Sequence, residues 1–496
     1  MNVIKNLHKV SKKFPNQPAI IFEGKLITFS QLKDLVFCLA NGLKKLGLKK
    51  DVKIAVYLPN IPEYIYSYFA VYSLGAVIVP LDFSFTQDEL ENLIRHSDTE
   101  ILIAQEKKGI DLKSLKANLG LKQIVLLGDH PEFIDFHNLI KESSWSEPEA
   151  EISDADDSTI FYTSGSTGHP KGVLWNYRHL DSPAKTAEHF LALSSQDTML
   201  CPIPFSHAAG LVFALFMLYF GFSLVVQKRF SPLESLRDIE RYKIVFICLV
   251  PSMYIAMLNM KEFKKFNLKS LKYVVVFGAP SSPTLLRRFH QTCPEAHLLN
   301  GWGMTETSPP SAITPLGSNK IESIGKPVPW LEVGIVNEED KKLPVGDVGE
   351  LVVRGWVIMQ GYYKEPELTK DALRNGWFHT GDLAYIDADG FIYIVGRRKE
   401  MIKVAGERVF APEIEEAIHR HPKVSEVAVV SIPDQLRGEV PKAFLVLNQG
   451  TSLTEVELRS FCRKHLAHFK IPHYFEFRDS LPKTRSGKID KVSLVQ

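Results

Sequence analysis

At 496 residues the chain is too long for one ordinary hydrophobic core, and 45% hydrophobic against 23% charged residues excludes the fibrous and disordered classes. Lys and Arg number 59 against 57 Asp and Glu, a formal net charge of +2, so no basic field points to nucleic acid as a partner. The cysteines, Cys38, Cys201, Cys248, Cys293 and Cys462, are scattered, odd in number and without metal-ligand spacing, which predicts a reducing, cytoplasmic setting rather than a disulfide framework.

The first residues, 1–21, include basic side chains but neither an apolar core nor a small-residue cleavage site, so no secretory signal is expected there. The ending Ser493-Leu494-Val495-Gln496 is not a peroxisomal address. Short apolar runs then alternate with helical patterns: KIAVYL, a helix near 64–74, AVIVPL, a helix near 88–96, and EILIAQ. The rhythm continues through STIFYT, SLVVQK, IVFICLV and YVVVFG, runs so uniformly apolar that they predict parallel strands covered on both faces. Residues 210–226, GLVFALFMLYFGFSLVV, raise the question of a membrane span but fall just short of the usual length of about 20. Gly221 interrupts the run and FSLVV leads into Gln227-Lys228-Arg229, so a buried helix, a turn and a buried strand are predicted. No integral span is expected, and weak peripheral membrane association stays open.

From Gly349 the texture becomes hairpin-like, with Asp387-Ala388-Asp389-Gly390 as a turn signal, which predicts a β subdomain over about 325–395. After Gly396-Arg397-Arg398-Lys399 the chain restarts with a helix at 412–420, strands SEVAVVSI and PKAFLVL, and a helix near 454–468. The expected fold is therefore α/β: a large N-terminal domain of layered α/β sheets with a β subdomain, residues 1–398, then a small mobile α+β C-terminal domain, residues 399–496. The joint is expected near Lys399, and the assembly is expected to be a monomer or homodimer.

The densest chemistry lies in Thr163-Ser164-Gly165-Ser166-Thr167-Gly168-His169-Pro170-Lys171-Gly172. Glycines let the backbone turn its N–H groups toward a ligand, hydroxyls add donors, and Lys171 supplies charge, as a loop around nucleotide phosphates requires. A plain surface linker is the alternative for such a loop taken alone. The Walker pattern fails on spacing, because Lys171 follows Pro170 and precedes Gly172. Further on, Asn300-Gly301-Trp302-Gly303-Met304-Thr305-Glu306 offers a flat indole for a purine, worth about 1 kcal/mol beyond burial. Thr305 can donate to an α-phosphate, and Glu306 is a hard oxygen ligand suited to Mg²⁺ held against nucleotide phosphates. A turn beside a core tryptophan is the plainer alternative for that segment.

In their order and spacing these strings resemble the adenylate-forming superfamily, which includes acyl-CoA synthetases, insect-type luciferases and adenylation domains. The similarity extends from Ile27-Thr28-Phe29-Ser30-Gln31-Leu32 to Lys488. It implies that Thr163, Ser164, Gly165, Ser166, Thr167, Gly168 and Lys171 hold the β- and γ-phosphates of ATP, with Thr163 and Glu306 at the Mg²⁺. Phe277-Gly278-Ala279-Pro280 is similar to the family's adenine-side loop, usually Gly-Gly-Ala-Pro, and so assigns Gly278, Ala279 and Pro280 to the nucleotide with Asn300, Gly301, Trp302 and Thr305. Phe277 replaces the first glycine, which narrows or reshapes the acyl pocket that the resemblance implies. Thr380-Gly381-Asp382 resembles the ribose clamp, in which Asp382 accepts from both cis hydroxyls. The run from Gly396 to Lys403 carries the hinge pattern, with Arg397 reaching the ribose or phosphates and Lys399 as the pivot.

Within Pro204-Phe205-Ser206-His207-Ala208-Ala209-Gly210, the resemblance assigns His207 to a carboxylate or to the thiol's approach. His207, Ala208, Phe277, Gly303, Met304, Lys403 and Gly406 would then face the acyl group and coenzyme A. The aspartate that amino-acid-activating relatives place in this segment is missing. Pro482-Lys483-Thr484-Arg485-Ser486-Gly487-Lys488-Ile489-Asp490 resembles the loop of the adenylation lysine. Lys488 would bridge the substrate carboxylate and the α-phosphate, a contribution of about 3–4 kcal/mol by analogy with other stabilising donors.

The implied catalytic set is Lys488, Lys403, His207, Thr305 and Glu306. With ATP, Mg²⁺ and coenzyme A they would turn a small carboxylic acid into an acyl-adenylate and then a thioester, releasing pyrophosphate and AMP. A medium- or long-chain fatty acid is the expected substrate, and an aryl acid of the coumarate type is the alternative. An acyl-AMP ligase loading a carrier protein is disfavoured because no insertion fits between Asp382 and Gly396. A noncatalytic nucleotide-binding protein would be expected to lack Lys488, Glu306 or Asp382, and a membrane fatty-acid transporter would need true spans.

Overall fold

The computed structural model describes residues 2–163, 170–279, 283–405, 407–484 and 487–495. Contacts divide the chain into two compact units: Met1–Ile247 with Gly303–Ser311 and Trp356–Asp371, and Cys248–Trp302 with Ala312–Gly355 and Ala372–Gln496.

The first unit holds an eight-stranded sheet, in spatial order Gly361–Tyr362, Lys171–Asn176, Asp157–Thr163, Val77–Leu81, Lys53–Tyr57, Ile101–Gln105, Gln123–Leu127 and Ile134–Asp135. Neighbours from Asp157–Thr163 onward are parallel, and the two pairings before it are antiparallel. Val77–Leu81 is buried along its whole length, as a uniformly apolar run in a sheet covered on both faces should be. Helix Gln87–His96 begins at Thr86, where the Thr86 hydroxyl and the Glu89 side chain cap each other's backbone N–H groups. The glycine-rich loop leads not into a helix but into strand Lys171–Asn176, antiparallel to the strand before the loop. This agrees with the rejection of a Walker loop.

A second layer of this unit contains strands Thr198–Cys201, Ser223–Val226, Pro18–Phe22 and Lys25–Thr28. The first three are mutually parallel and Lys25–Thr28 closes a hairpin. The apolar run forms helix Ala208–Phe220, stops at Gly221 with φ 78°, and resumes as strand Ser223–Val226. The positive φ is the conformation in which glycine ends a helix at no steric cost. Among the described residues no helix is long and apolar enough to cross a membrane.

In the second unit, Tyr273–Val276 runs parallel to His297–Trp302. A four-stranded antiparallel sheet follows, Leu331–Val336, Gly349–Gly355, Phe378–Ile386 and Ile392–Arg397. Its four strands fall within about 325–395, the range expected for a β subdomain. Beyond Lys399, strands Glu407–Phe410, Met401–Val404, Gly438–Leu447 and Val424–Asp434 pair antiparallel in that order, and Tyr474–Phe477 lies parallel on Gly438–Leu447. Helices Ala411–His419 and Glu455–His465 bury Ile414, Ile418 and Leu458 against Ile402, Val429 and Leu445. This segment thus has its own sheet and core. The expected division at Lys399 does not coincide with the compact units, because the segment also touches earlier parts of its unit. Asn259 Nδ2 donates to Ser425 Oγ at 2.9 Å, and the Ser252 hydroxyl donates to the Gly487 carbonyl.

Gly210 lies in the first turn of helix Ala208–Phe220, where an added Cβ would stand 2.3 Å from the Pro204 carbonyl oxygen. That oxygen is backbone and cannot rotate away. Gly210→Ala is expected to destabilise the protein by about 1–3 kcal/mol, read as a lower urea midpoint. An unchanged midpoint would show that the turn before the helix yields freely.

Candidate active site

Parallel strands Val77–Leu81 and Asp157–Thr163 are neighbours, so Asp82 and Thr163 leave the sheet at the same carboxyl edge, where open α/β sheets bind ligands. Thr163 faces Lys171 across the hairpin. The turn before His207 is pinned from the sheet side: Phe205 N–H donates to Asn60 Oδ1 at 2.8 Å, and Tyr68 donates to the Phe205 carbonyl at 2.7 Å. His207 then opens helix Ala208–Phe220. Its Nε2 is buried and makes no hydrogen bond to a described residue; Asp82 Oδ2 stands 3.5 Å away. Ser84 donates to Asp82 Oδ1 from its N–H at 2.8 Å and its hydroxyl at 2.6 Å. Burial pushes the Asp82 carboxyl up, but the facing His207 ring and the Ser84 bonds outweigh it and hold the group well below the usual carboxylate range.

Thr305 and Glu306 are fixed through their backbone. Trp175 Nε1 donates to the Thr305 carbonyl at 2.8 Å, and Met359 N–H donates to the Glu306 carbonyl at 2.9 Å. The buried Glu306 carboxylate accepts from the Tyr362 hydroxyl at 3.1 Å. Burial first, then Glu306, keeps that phenol protonated by raising its pKa. Lys171 Nζ lies 5.0 Å from the centroid of the same tyrosine ring, a cation–π distance. Among the described residues no three His, Cys, Asp or Glu gather into a metal cluster. A single hard carboxylate fits Mg²⁺, which commonly takes one or two protein carboxylates and completes its shell with phosphates and water. The Glu306 carboxylate is a donor of that kind.

In the second unit the elements converge on Asp382. Its buried carboxylate accepts from Trp302 Nε1 at 2.8 Å on one oxygen and pairs with Arg397 Nε at 2.9 Å on the other. Burial leaves the Asp382 carboxyl above its ordinary range, with Arg397 and Trp302 opposing the shift without cancelling it. The Thr380 hydroxyl donates to the Leu351 carbonyl at 2.7 Å and accepts Asp382 N–H at 3.0 Å, and Gly381 N–H donates to Glu350 Oε1 at 3.1 Å. Glu350 Oε2 in turn meets His379 Nδ1 at 3.2 Å and Arg398 at 3.4 Å.

Lys488 reaches the turn at Gly278, where an added Cβ would stand 3.6 Å from Lys488 Cε. Gly278 has φ 88°, so glycine serves both the turn and the approach. Lys488 is exposed, yet enough protein surrounds its amine to lower its pKa. Desolvation comes first and Arg397 second, with Asp382 opposing them. Phe277 lies over Gly301: an added Cβ there would be 2.9 Å from Phe277 Cδ2. Asn300 is held by a backbone N–H bond to Thr314 Oγ1 at 3.2 Å, and Ala279 is half-buried.

The structure therefore gathers Asp382, Trp302, Arg397, Lys488 and Gly278 in one unit, and Thr305, Glu306 and Lys171 in the other. Gly303 and Met304 are half-buried, and Ala208 is buried in the first helical turn after His207. Lys403 stands apart, exposed on strand Met401–Val404 opposite Arg408, with its N–H bonded to Glu439 at 2.8 Å. Lys399 is exposed in the short turn Arg398–Glu400. Ser164, Gly165, Ser166, Thr167, Gly168, Pro280 and Gly406 lie outside the described residues. Sequence reasoning missed Asp82, Tyr362, Glu350 and Asn60. Tyr362 alone carried a signal, in the Gly361-Tyr362-Tyr363 string after a strand.

A buried carboxylate clasped by an indole and a guanidinium, with an amine set against a glycine turn at a strand end, offers acceptors for a diol and a cation for a phosphate, as a nucleotide site requires. Residues 7–363 match the AMP-binding enzyme family and residues 413–488 match the AMP-binding enzyme C-terminal domain. The chain belongs to that family, and it is an AMP-forming acyl-CoA synthetase of the adenylate-forming superfamily. A long-chain-fatty-acid–CoA ligase of Bacillus subtilis (strain 168) is 31% identical over 520 residues, covering 98% of this chain and 92% of the relative. A feruloyl-CoA synthase of Amycolatopsis sp is 32% identical over 484 residues, covering 96% and 95%. The crystal structure of the anthranilate CoA ligase AuaEII in complex with anthranoyl-AMP superposes with a TM-score of 0.94 at 27% identity, covering 100% of this chain and 96% of that one.

The charges around Lys488 set a sign that can be measured by competitive amine labelling across pH, read peptide by peptide. Lys488 should label at lower pH than an ordinary lysine. Asp382→Asn, which removes the opposing anion, should lower its pKa further, and Arg397→Gln should raise it. Shifts of the opposite sign would refute the arrangement.

Proposed function

We propose that the chain is an ATP-dependent fatty acid–CoA ligase whose preferred acids are of medium or long chain. The observation that carries this reading is helix Ala208–Phe220: it opens at His207, bears no charged side chain, and buries Leu211, Phe213, Leu215, Met217 and Leu218. A carboxylate met by His207 would thus carry its tail into apolar surroundings. The relatives named for long-chain fatty acids support the same reading. An aryl acid is the second reading, favoured by the feruloyl-CoA synthase relative and by Phe277, whose ring narrows the space over Gly301.

In this reading the acid's carboxylate oxygen attacks the α-phosphorus of ATP, pyrophosphate leaves, and an acyl-adenylate forms. The thiol of coenzyme A then attacks the acyl carbonyl and AMP leaves. Both steps depend mainly on positioning and charge neutralisation. Lys488 would bridge the carboxylate and the α-phosphate. Asp382 would accept from the ribose diol, since each of its oxygens keeps a lone pair after Trp302 and Arg397 are satisfied. Trp302, Gly278 and Ala279 would face the adenine, and Thr163 and Lys171 the departing phosphates. Thr305 would donate to the α-phosphate, and Glu306 with Thr163 would hold Mg²⁺, which supplies charge neutralisation when bound. Residues 399–496 would move about Lys399 between the half-reactions, bringing Lys403 into use in the second. The cysteines, none of them in a disulfide, suit a reducing, cytoplasmic setting.

A pyrophosphate-release screen over acids of graded length and aromaticity, with coenzyme A, should give the highest kcat/KM for medium- or long-chain fatty acids. Activity confined to aryl acids would transfer the assignment to the second reading. Lys488→Ala should slow adenylate formation by roughly a hundred- to thousandfold while still converting supplied acyl-adenylate to thioester. Lys403→Ala should show the reverse, and loss of the same half-reaction in both variants would overturn the division of labour.

A further inference from the structure

We propose that Asp82 is the positioning residue of His207: its Oδ2 holds the ring proton at Nε2 and fixes the imidazole so that its other edge meets the reactants. This inference rests on the assignment of His207 to the reacting groups.

The two oxygens of Asp82 have separate duties. Oδ1 takes both Ser84 donors, at 2.8 and 2.6 Å, and so closes the local turn after strand Val77–Leu81. Oδ2 takes no part in that turn. It faces the Ser206 hydroxyl at 3.4 Å and His207 Nε2 at 3.5 Å, both on the loop that carries the histidine.

The histidine side supplies an independent reason. Among the described residues the buried His207 Nε2 makes no hydrogen bond, and Asp82 Oδ2 stands 3.5 Å from it, although the side chain as a whole is 34% exposed. The ring therefore presents its accessible surface away from Asp82 and turns the buried nitrogen toward it. A buried ring nitrogen is costly unless paired, and the ionised carboxylate is the acceptor at hand. When a carboxylate holds one imidazole N–H, it settles both the tautomer and the ring plane. The Asn60 and Tyr68 bonds to Phe205 keep the backbone of this loop in place. What remains to be fixed is the side chain, and Asp82 Oδ2 is the carboxylate oxygen that stands beside its ring nitrogen.

The test is a double-mutant cycle on the full chain, with adenylate formation and thioester formation measured separately, and with ¹⁵N NMR of the His207 ring. Asp82→Asn should slow the half-reaction that His207 serves by about ten- to hundredfold, and His207→Ala should slow the same one. The double variant should be no slower than His207→Ala alone, because Asp82 acts only through the ring. The NMR signature should show the proton at Nε2 in the wild type and a redistributed tautomer in Asp82→Asn. Ser84→Ala, which loosens the turn but leaves Oδ2 in place, should keep wild-type rates. Full additivity of the two substitutions, an unchanged tautomer in Asp82→Asn, or an equal loss in Ser84→Ala would overturn the inference. Wild-type rates in His207→Ala for both half-reactions would instead refute the role of the histidine itself. Should Asp82→Asn fail to fold, Asp82→Glu reads the same ring signal with the charge retained but displaced.

Discussion

A carboxylate and a triphosphate repel one another, and the reaction of this family requires their contact. A site for it needs cations that face both anions and must keep its own carboxylates from adding to the repulsion. The second requirement shapes much of what is seen here. Asp382 is clasped by Trp302 and Arg397, Glu306 by Tyr362, Asp82 by Ser84, and Glu350 by Gly381, His379 and Arg398. Each acid is held by directional donors, so its charge is spent locally. The amine of Lys488 remains beside the Gly278 turn, with Arg397 and Asp382 pulling its pKa in opposite directions.

Legibility from the sequence followed the range of the interactions. Apolar period and turn chemistry are local, so strands such as Val77–Leu81, the break at Gly221 and the hairpin at Asp387 could be read in advance. Strand Lys171–Asn176 could not, because its pairing with Asp157–Thr163 depends on a loop whose glycines masked any strand pattern. The site residues divide in the same way. Asp382, Trp302 and Lys488 lie in strings whose order carries information. Asp82, Glu350 and Asn60 act through partners far along the chain and have no neighbouring residues that betray them.

Glu350 shows why such residues matter. One oxygen fixes the Gly381 N–H of the turn that presents Asp382, and the other meets Arg398, the neighbour of Lys399. A buried acid thereby ties the turn under Asp382 to the start of the chain segment proposed to move. Residues beyond Lys399 also meet Ser252 and Asn259, and they fall in the same compact unit as those residues.

The family's backbone is shared among enzymes named for fatty, feruloyl and anthranilate substrates, so the choice of acid must reside in side chains. Phe277 is the departure with the clearest physical consequence. Its ring occupies the space that a Cβ on Gly301 would need, so the two positions are coupled: a larger residue at 301 requires a smaller one at 277.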